Sequence, residues 1–156
     1  MKAVIVQIYK TLVESKLLYG LAACSLNAAQ ERKLDGFQAR CLRTILGVGP
    51  SFESRVTNEE VRRRAACKPA TKSLLQQQLV QLGKVIRSSP DSPLYAVSLH
   101  PVTRQPMVGH FVRRVGRPSR EWVPTVLSAA VALCGSQAAV FQIALDEKKW
   151  RRVIQQ

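Results

Sequence analysis

The chain has 156 residues, 46% of them hydrophobic, and its 24 lysines and arginines against 10 aspartates and glutamates give a formal net charge of +14. This hydrophobic fraction excludes wholesale disorder, and the length suits one compact domain or two small helical subdomains. The excess of positive charge favours a polyanionic partner, with nucleic acid first and an anionic membrane surface second.

The first two helices are predicted from apolar spacing and cap residues. A first helix covers residues 2 to about 24, because apolar side chains recur at helical steps. These side chains are Val4, Ile8, Leu12, Leu17 and Leu18. A second helix runs from an N-cap at Asn27 to a stop at Gly47, since these residue types favour helix ends. Its predicted apolar face consists of Leu34, Phe37, Cys41, Leu42, Ile45 and Leu46.

Two further helices are predicted before residue 88. Thr57 and Glu60 have the spacing of a capping box, in which the hydroxyl accepts from a free amide and the glutamate reaches back. They open a third helix that ends at about Lys68. Pro69 and Thr71 open a fourth helix, whose apolar positions follow helical spacing up to residue 87. These positions are Leu75, Leu79, Leu82 and Ile86.

The remaining third of the chain is predicted to be a connector followed by two helices. Residues 88–93 are rich in serine and proline, which is typical of a linker. Prolines and glycines then exclude a long helix, so an irregular, basic Gly/Pro/Arg connector is expected at about 99–118. Helices at 119–134 and 136–153, separated by a stop at Gly135 and an N-cap at Ser136, complete an all-α fold of five or six helices. The expected division is a helical subdomain at 1–88, a connector region at 89–118 and a helical pair at 119–156.

Membrane insertion and secretion are not expected. Residues 123–145 carry no formal charge, but proline, glycine, serine and glutamine interrupt them, whereas a span needs about 20 predominantly apolar residues. The N-terminus has only a short apolar run before Lys10 and no cleavage site in the right place. The sequence therefore predicts an intracellular protein, nuclear or cytoplasmic.

No catalytic set is recognisable. The three aspartates, Asp35, Asp91 and Asp146, lie in unrelated contexts, whereas two-metal catalysis needs clustered carboxylates. The four cysteines are widely spaced and are predicted to be small buried hydrophobes in a reducing compartment. Cys67 lies beside several cations that would lower a thiol pKa, but no orienting histidine is recognisable. We therefore predict a protein that is not an enzyme and needs neither cofactor nor metal.

Arginine side chains are the predicted phosphate contacts, because the planar guanidinium donates two hydrogen bonds at once. They are Arg40, Arg43, Arg62, Arg63, Arg64, Arg113, Arg114, Arg117 and Arg120. Trp122 is a candidate to stack on a base or on Arg117, although a tryptophan at a helix start is more often part of the core. Alternatives stay open: residues 62–64 as a solvated helix face, and residues 104–120 as a disordered, solvated linker.

Six segments in order resemble the region downstream of the reverse transcriptase domain in LINE-type (non-LTR) retrotransposon polyproteins. Residues 9–20 end in Leu-Leu-Tyr-Gly, and 32–47 contain Leu-Asp-Gly-Phe-Gln-Ala-Arg-Cys-Leu-Arg. Residues 55–64 contain Arg-Val-Thr-Asn-Glu-Glu-Val, and 79–87 contain Leu-Gly-Lys-Val. Gly-Arg-Pro at 116–118 with Trp122 and Asp-Glu-Lys-Lys-Trp-Arg at 146–151 complete the series.

The resemblance implies a role in holding template and primer rather than in catalysis. Lys84 stands where the family usually has histidine and Leu82 where tryptophan is common, and the polymerase palm and downstream zinc knuckle are missing. The chain thus resembles a truncated copy that binds RNA, DNA or a hybrid through phosphate contacts. The alternative is a helical interaction module, whose apolar faces at 2–24 and 74–87 pack on an absent polymerase palm.

Overall fold

The computed structural model describes residues 2–107 and 121–155, and within these ranges the regular elements are helices. The helices are α1 (Lys2–Ile8), a π-helical segment (Tyr9–Glu14), α2 (Ser15–Leu21), α3 (Ala28–Leu46), α4 (Ser51–Ser54), α5 (Asn58–Arg64), α6 (Ala70–Arg87), α7 (Pro93–Ser98), α8 (Trp122–Cys134), α9 (Gln137–Leu145) and α10 (Glu147–Gln155). An isolated antiparallel bridge joins Leu99 to Pro106. The predicted all-α fold is confirmed.

The first helix buries a different face from the one predicted. Val6, Tyr9, Glu14 and Leu18 are buried along α1, the π-helical segment and α2. The step of five residues from Tyr9 to Glu14 fits the i→i+5 repeat of a π-helix and brings both side chains to one face. The regular stripe at positions 4, 8 and 12 is exposed, so the predicted apolar face was wrong over this part of the helix.

The chain divides into two compact units, the first made of residues 1–22 and 26–75. Helix α3 supplies buried residues to two apolar clusters in this N-terminal unit. Leu42 packs with α1 and α5 residues in one cluster, and Leu34 packs with Leu18 and Leu74 in the other. Phe37, predicted on the apolar face, is instead 36% exposed. Helix α3 is therefore the central element of this unit.

Cap residues set the ends of α3 as predicted. The Asn27 side chain accepts hydrogen bonds from the Ala29 and Gln30 amides at 3.0 and 2.9 Å, and the Gln30 side chain accepts from the Asn27 amide at 2.8 Å. Gly47 ends the helix with φ +68°, a left-handed conformation that glycine adopts without a Cβ penalty. The predicted N-cap and stop are both confirmed. The short helix α4, which follows after residue 50, was not predicted.

The C-terminal unit comprises residues 23–25 and 76–156, so the division falls inside α6 rather than in the Pro/Ser-rich segment. The second half of α6 packs on Trp150 of α10, which is only 1% exposed and whose Nε1 donates to the Leu79 carbonyl at 2.9 Å. Gly83 makes this approach possible, because a Cβ there would lie 2.5 Å from Trp150 Cδ1. These contacts tie α6 to the end of the chain.

Two boundaries in the C-terminal unit differ from the prediction. Helix α7 follows the predicted linker at 88–93 and lies within the region 89–118, for which no helix was predicted; Ser92 caps it by accepting from the Tyr95 amide at 3.2 Å. The expected helix at 136–153 is two helices, α9 and α10, since the Asp146 carboxylate accepts from the Lys148 and Lys149 amides and opens α10. The predicted stop at Gly135 and N-cap at Ser136 are confirmed.

Among the described residues, no single helix has the length and apolar character of a membrane span. Helices α8 and α9 satisfy these criteria only as a pair, and they are bent by 89° at their junction.

Candidate nucleic-acid interface

Helix α5 carries three of the predicted phosphate contacts, Arg62, Arg63 and Arg64. Thr57 caps the helix by accepting a hydrogen bond from the Glu60 amide at 3.2 Å. The Glu60 carboxylate accepts from Arg63 Nε at 2.6 Å and from Arg64 Nε at 2.8 Å. Only half of the predicted capping box is therefore present, because Glu60 turns to the arginines instead of reaching back to the N-cap.

The two arginines stay largely exposed although they are paired. Their side chains are 74% and 47% exposed for Arg63 and Arg64 respectively. Hydrogen bonds from both guanidinium groups lower the pKa of Glu60 to about 2, so this carboxylate is ionised at neutral pH. One anion thus orders two cations and neutralises only one of them. Arg62, the third arginine of this helix, is half-buried.

Arg43 is a correction to the predicted interface. It is only 8% exposed, and its Nη1 donates to the Gly49 carbonyl at 2.7 Å. Its Nη2 donates to the Val56 carbonyl and, at 3.0 Å, to Asn58 Oδ1. The guanidinium therefore holds the loop between α3 and α5 and is turned away from any phosphate in solution. Arg43 acts as a positioning residue for the start of α5.

Other polar residues of α3 also point inward. Gln38 is fully buried, and its side-chain amide donates to the Lys68 carbonyl at 2.9 Å and accepts from the Ala70 amide at 3.1 Å. The Asp35 carboxylate accepts from the Thr71 amide and hydroxyl at 3.0 and 2.9 Å. Both side chains thereby fix the start of α6. Among the predicted contacts on α3, only Arg40 is exposed.

The arginines of the predicted connector fall outside the described residues. This applies to Arg113, Arg114, Arg117 and Arg120, which stay predictions. Trp122 begins α8 and is half-buried, which is compatible with the expected core position of a tryptophan at a helix start.

A basic face on α10 was missed at the sequence level. Four exposed side chains lie around the buried Trp150 and Ile154. They are Lys148, Lys149, Arg151 and Arg152. Arg151 Nη2 pairs with Glu147 at 2.6 Å, and Lys149 lies 3.7 Å from Asp146. The sequence did contain a sign of this face, because Trp150 lies between two pairs of basic residues. On a helix, this pattern indicates one buried face and one charged face.

The cysteines differ from one another in their exposure to solvent. Three thiols are half-buried, but Cys24 is exposed, so the prediction of four buried cysteines was wrong for this residue. Burial raises the pKa of the Cys67 thiol despite the opposing effect of Lys10, contrary to the lowering expected from nearby arginines. Within residues 2–107 and 121–155, no group of three or more His, Cys, Asp or Glu side chains is arranged to hold a metal ion.

Comparison of the chain with protein-family models, with curated proteins and with solved structures finds no match. The resemblance to the retrotransposon segment therefore rests on the sequence motifs alone.

Proposed function

We propose that this chain binds RNA, DNA or their hybrid through phosphate contacts without catalysing a reaction, as an intracellular protein. We also propose that it corresponds to the helical segment downstream of a LINE-type reverse transcriptase domain. The main observation that supports phosphate binding is that Arg63 and Arg64 pair with one carboxylate, that of Glu60, and remain exposed. Ordered guanidinium groups with residual positive charge suit phosphate, because their planar forks match two phosphate oxygens.

The first test measures binding of labelled single strands and hybrid duplexes by fluorescence anisotropy at several salt concentrations. Each phosphate contact on a duplex adds about 0.9 to the slope of log affinity against log salt. We expect a steep slope for the parent chain and, for the Arg63→Gln/Arg64→Gln variant, weaker binding with a slope lower by about two contacts. No binding at low salt, or a flat salt response, contradicts the proposal.

A matched pair of variants separates local contacts from net charge. Glu60→Gln removes the shared anion and leaves both guanidinium groups, so we expect affinity to be kept or raised. Arg32→Gln removes one exposed charge from the first turns of α3. If Arg32→Gln weakens binding as much as Arg63→Gln alone, which removes the same single charge from α5, binding depends on overall charge and not on the α5 arginines.

The connector has its own test. Replacing Arg113, Arg114 and Arg117 with alanine is expected to weaken binding about equally across sequences, because phosphate contacts carry no base information. The salt slope should fall by about one contact for each arginine lost. Unchanged affinity and slope would assign binding to the helices and make residues 104–120 a solvated linker.

The second candidate, a helical interaction module, is favoured by the exposed face of the first helix. Val4, Ile8 and Leu12 are 62%, 49% and 58% exposed, and they recur every four residues. An apolar stripe of this kind is typical of surfaces that contact a partner. The other face invoked for this role, on α6, buries Leu79 and Leu82 and so offers no such stripe. The candidate partner remains a polymerase palm domain.

Sedimentation velocity tests the second candidate. An interaction module deprived of its partner is expected to self-associate, and Val4→Gln/Ile8→Gln/Leu12→Gln should return it to a monomer. A parent chain that is already monomeric across a wide concentration range contradicts this function. Nucleic-acid binding by that monomer would then support the first proposal.

A further inference from the structure

A concave site lies within the C-terminal unit, between the end of α6, helix α7, the turn after α7 and helix α9. Its volume is about 340 Å³, inside the range of about 300–1,000 Å³ common for small-molecule sites. Tyr95, Phe141 and Leu145 supply much of its apolar wall, and Arg87 and Arg104 supply its charge. None of the described residues that line it is acidic.

Arg104 is held in place at the rim of this site. Its backbone is left-handed, with φ 54°, which is unusual for a residue with a side chain. The Arg104 amide donates to the His100 carbonyl at 2.9 Å, and its own carbonyl accepts from Gln137 Nε2 at 3.3 Å. The guanidinium carbon lies 5.6 Å from the centroid of the Phe141 ring, in a cation–π arrangement. Such strained, over-determined positions cluster at ligand sites.

Arg87 adds a second fixed guanidinium. Its Nη1 donates to the Ala144 carbonyl at 2.7 Å, at the end of α9. Among the described residues neither Arg87 nor Arg104 forms an ion pair, although the charge of Arg87 helps to lower the pKa of the Glu147 carboxyl, which does not line the site. The site therefore combines two cations, each anchored at one point, with an aromatic and aliphatic wall and without a lining carboxylate. Arg87 is half-buried and Arg104 is exposed, so the two charges are accessible to an anion that enters the site from solvent.

We propose that this site binds a small organic phosphate that carries a flat apolar group, of the class of a mononucleotide. The two guanidinium groups would take the phosphate, since their donors match its oxygens. The flat group would lie against the wall that Tyr95 and Leu145 help to form, where its burial removes apolar surface from water. This site is independent of the phosphate contacts proposed on α5.

The test is an NMR titration of the full ¹⁵N-labelled chain with adenosine monophosphate. We expect saturable shifts in the amides of Ser88, Ser89 and Arg104. Inorganic phosphate lacks the flat group and adenosine lacks the charge, so each should bind at least about tenfold more weakly. Phosphate that binds as well as adenosine monophosphate, or the absence of saturable shifts, overturns the proposal.

Variants provide a second readout. Arg104→Gln should weaken binding of adenosine monophosphate by about tenfold, because hydrogen bonds to charged groups are the stronger ones. Arg152→Gln removes the same charge from an exposed position on α10 in the same unit and should change binding by less than about twofold. Equal losses in the two variants would mean unspecific attraction and overturn the site. If Arg104→Gln does not fold, the selectivity of the parent chain among the three probes decides.

Two sources of this ligand chemistry are distinguished by oligonucleotides. A 5′-phosphorylated strand that shifts the Ser88 and Arg104 amides, where its 5′-hydroxyl counterpart does not, identifies a strand end as the natural source. Shifts caused by adenosine monophosphate alone identify a free mononucleotide. Both results support the site, and neither depends on whether the α5 arginines bind nucleic acid.

Discussion

Helices α3 and α5 both carry polar and basic side chains, but some of those on α3 point into the protein, whereas the paired arginines of α5 point to solvent. On α3, Gln38 and Arg43 are buried and bond to backbone carbonyls of the segments that follow. On α5, Arg63 and Arg64 pair with the same glutamate, Glu60, and stay exposed. Residue type on an amphipathic helix therefore does not distinguish an exposed arginine from one that is bound by backbone carbonyls of its own chain.

The strongest test of this contrast is Arg43→Met. The substitution removes the guanidinium donor from the Gly49 and Val56 carbonyls and from Asn58 Oδ1, so we expect the free energy of unfolding to fall by about 3 kcal/mol. Urea unfolding followed by circular dichroism measures the loss. Arg40→Met, on the exposed side of the same helix, is the control and should change stability by less than about 0.5 kcal/mol. Equal losses would contradict the inward role of Arg43.

Gln38→Leu is expected to have the next largest effect. It keeps the approximate volume but leaves the Lys68 carbonyl and the Ala70 amide unpaired in a buried place, at a cost of about 2 kcal/mol. The same unfolding measurement applies, with Gln7→Leu on the exposed side of α1 as control. A neutral Gln38→Leu would mean that the two backbone groups find other partners.

Glu14 is a buried acidic residue in the same unit. The nearby charge of Lys10 does not offset the effect of burial on the pKa of its carboxyl. Burial raises its pKa above the ordinary value of 4.5, despite hydrogen bonds from Ser73 and Gln38 and the charge of Lys10. A raised folded-state pKa stabilises the protein below the unfolded-state pKa, and this contribution is lost as pH rises through the folded value. As pH rises from the unfolded-state pKa to the folded-state pKa of Glu14, the free energy of unfolding should therefore decline more in the parent chain than in the Glu14→Gln variant. Unfolding free energies measured from pH 4 upward check this, and identical profiles would contradict it.

The smallest effect on stability is expected for Arg63→Gln/Arg64→Gln. Exposed ion pairs contribute little to folding, so the urea midpoint should not move at neutral pH while nucleic-acid affinity falls. The lowered pKa of Glu60 means that its pairs stabilise the fold above the ordinary value of 4.5 and are lost only as pH falls toward about 2. A marked loss of stability would place these arginines with Arg43 as structural residues.

Local chemistry explains what was predictable from the sequence. Asn27, Gly47 and Ser136 act within one turn of their own position, so their residue types were enough to place helix ends. Arg43 could not be assigned in this way, because its acceptors are set by the course of the chain over residues 49–58. The prediction of the buried face of the first helix was wrong for another reason, because the π-helical segment changes the residue repeat on which that prediction was based.

The close approach of Trp150 to Gly83 makes one position of α6 depend on a residue far along the chain. In an isolated peptide of residues 70–87, Gly83→Ala should raise helix content, because alanine is favoured over glycine by about 1 kcal/mol. In the full chain the added Cβ would meet the indole, 2.5 Å from Trp150 Cδ1, and overpacking of this kind costs about 1–3 kcal/mol. The same substitution therefore stabilises the helix in the isolated peptide and destabilises the full chain. That reversal makes residue 83 a reporter of whether α10 is docked.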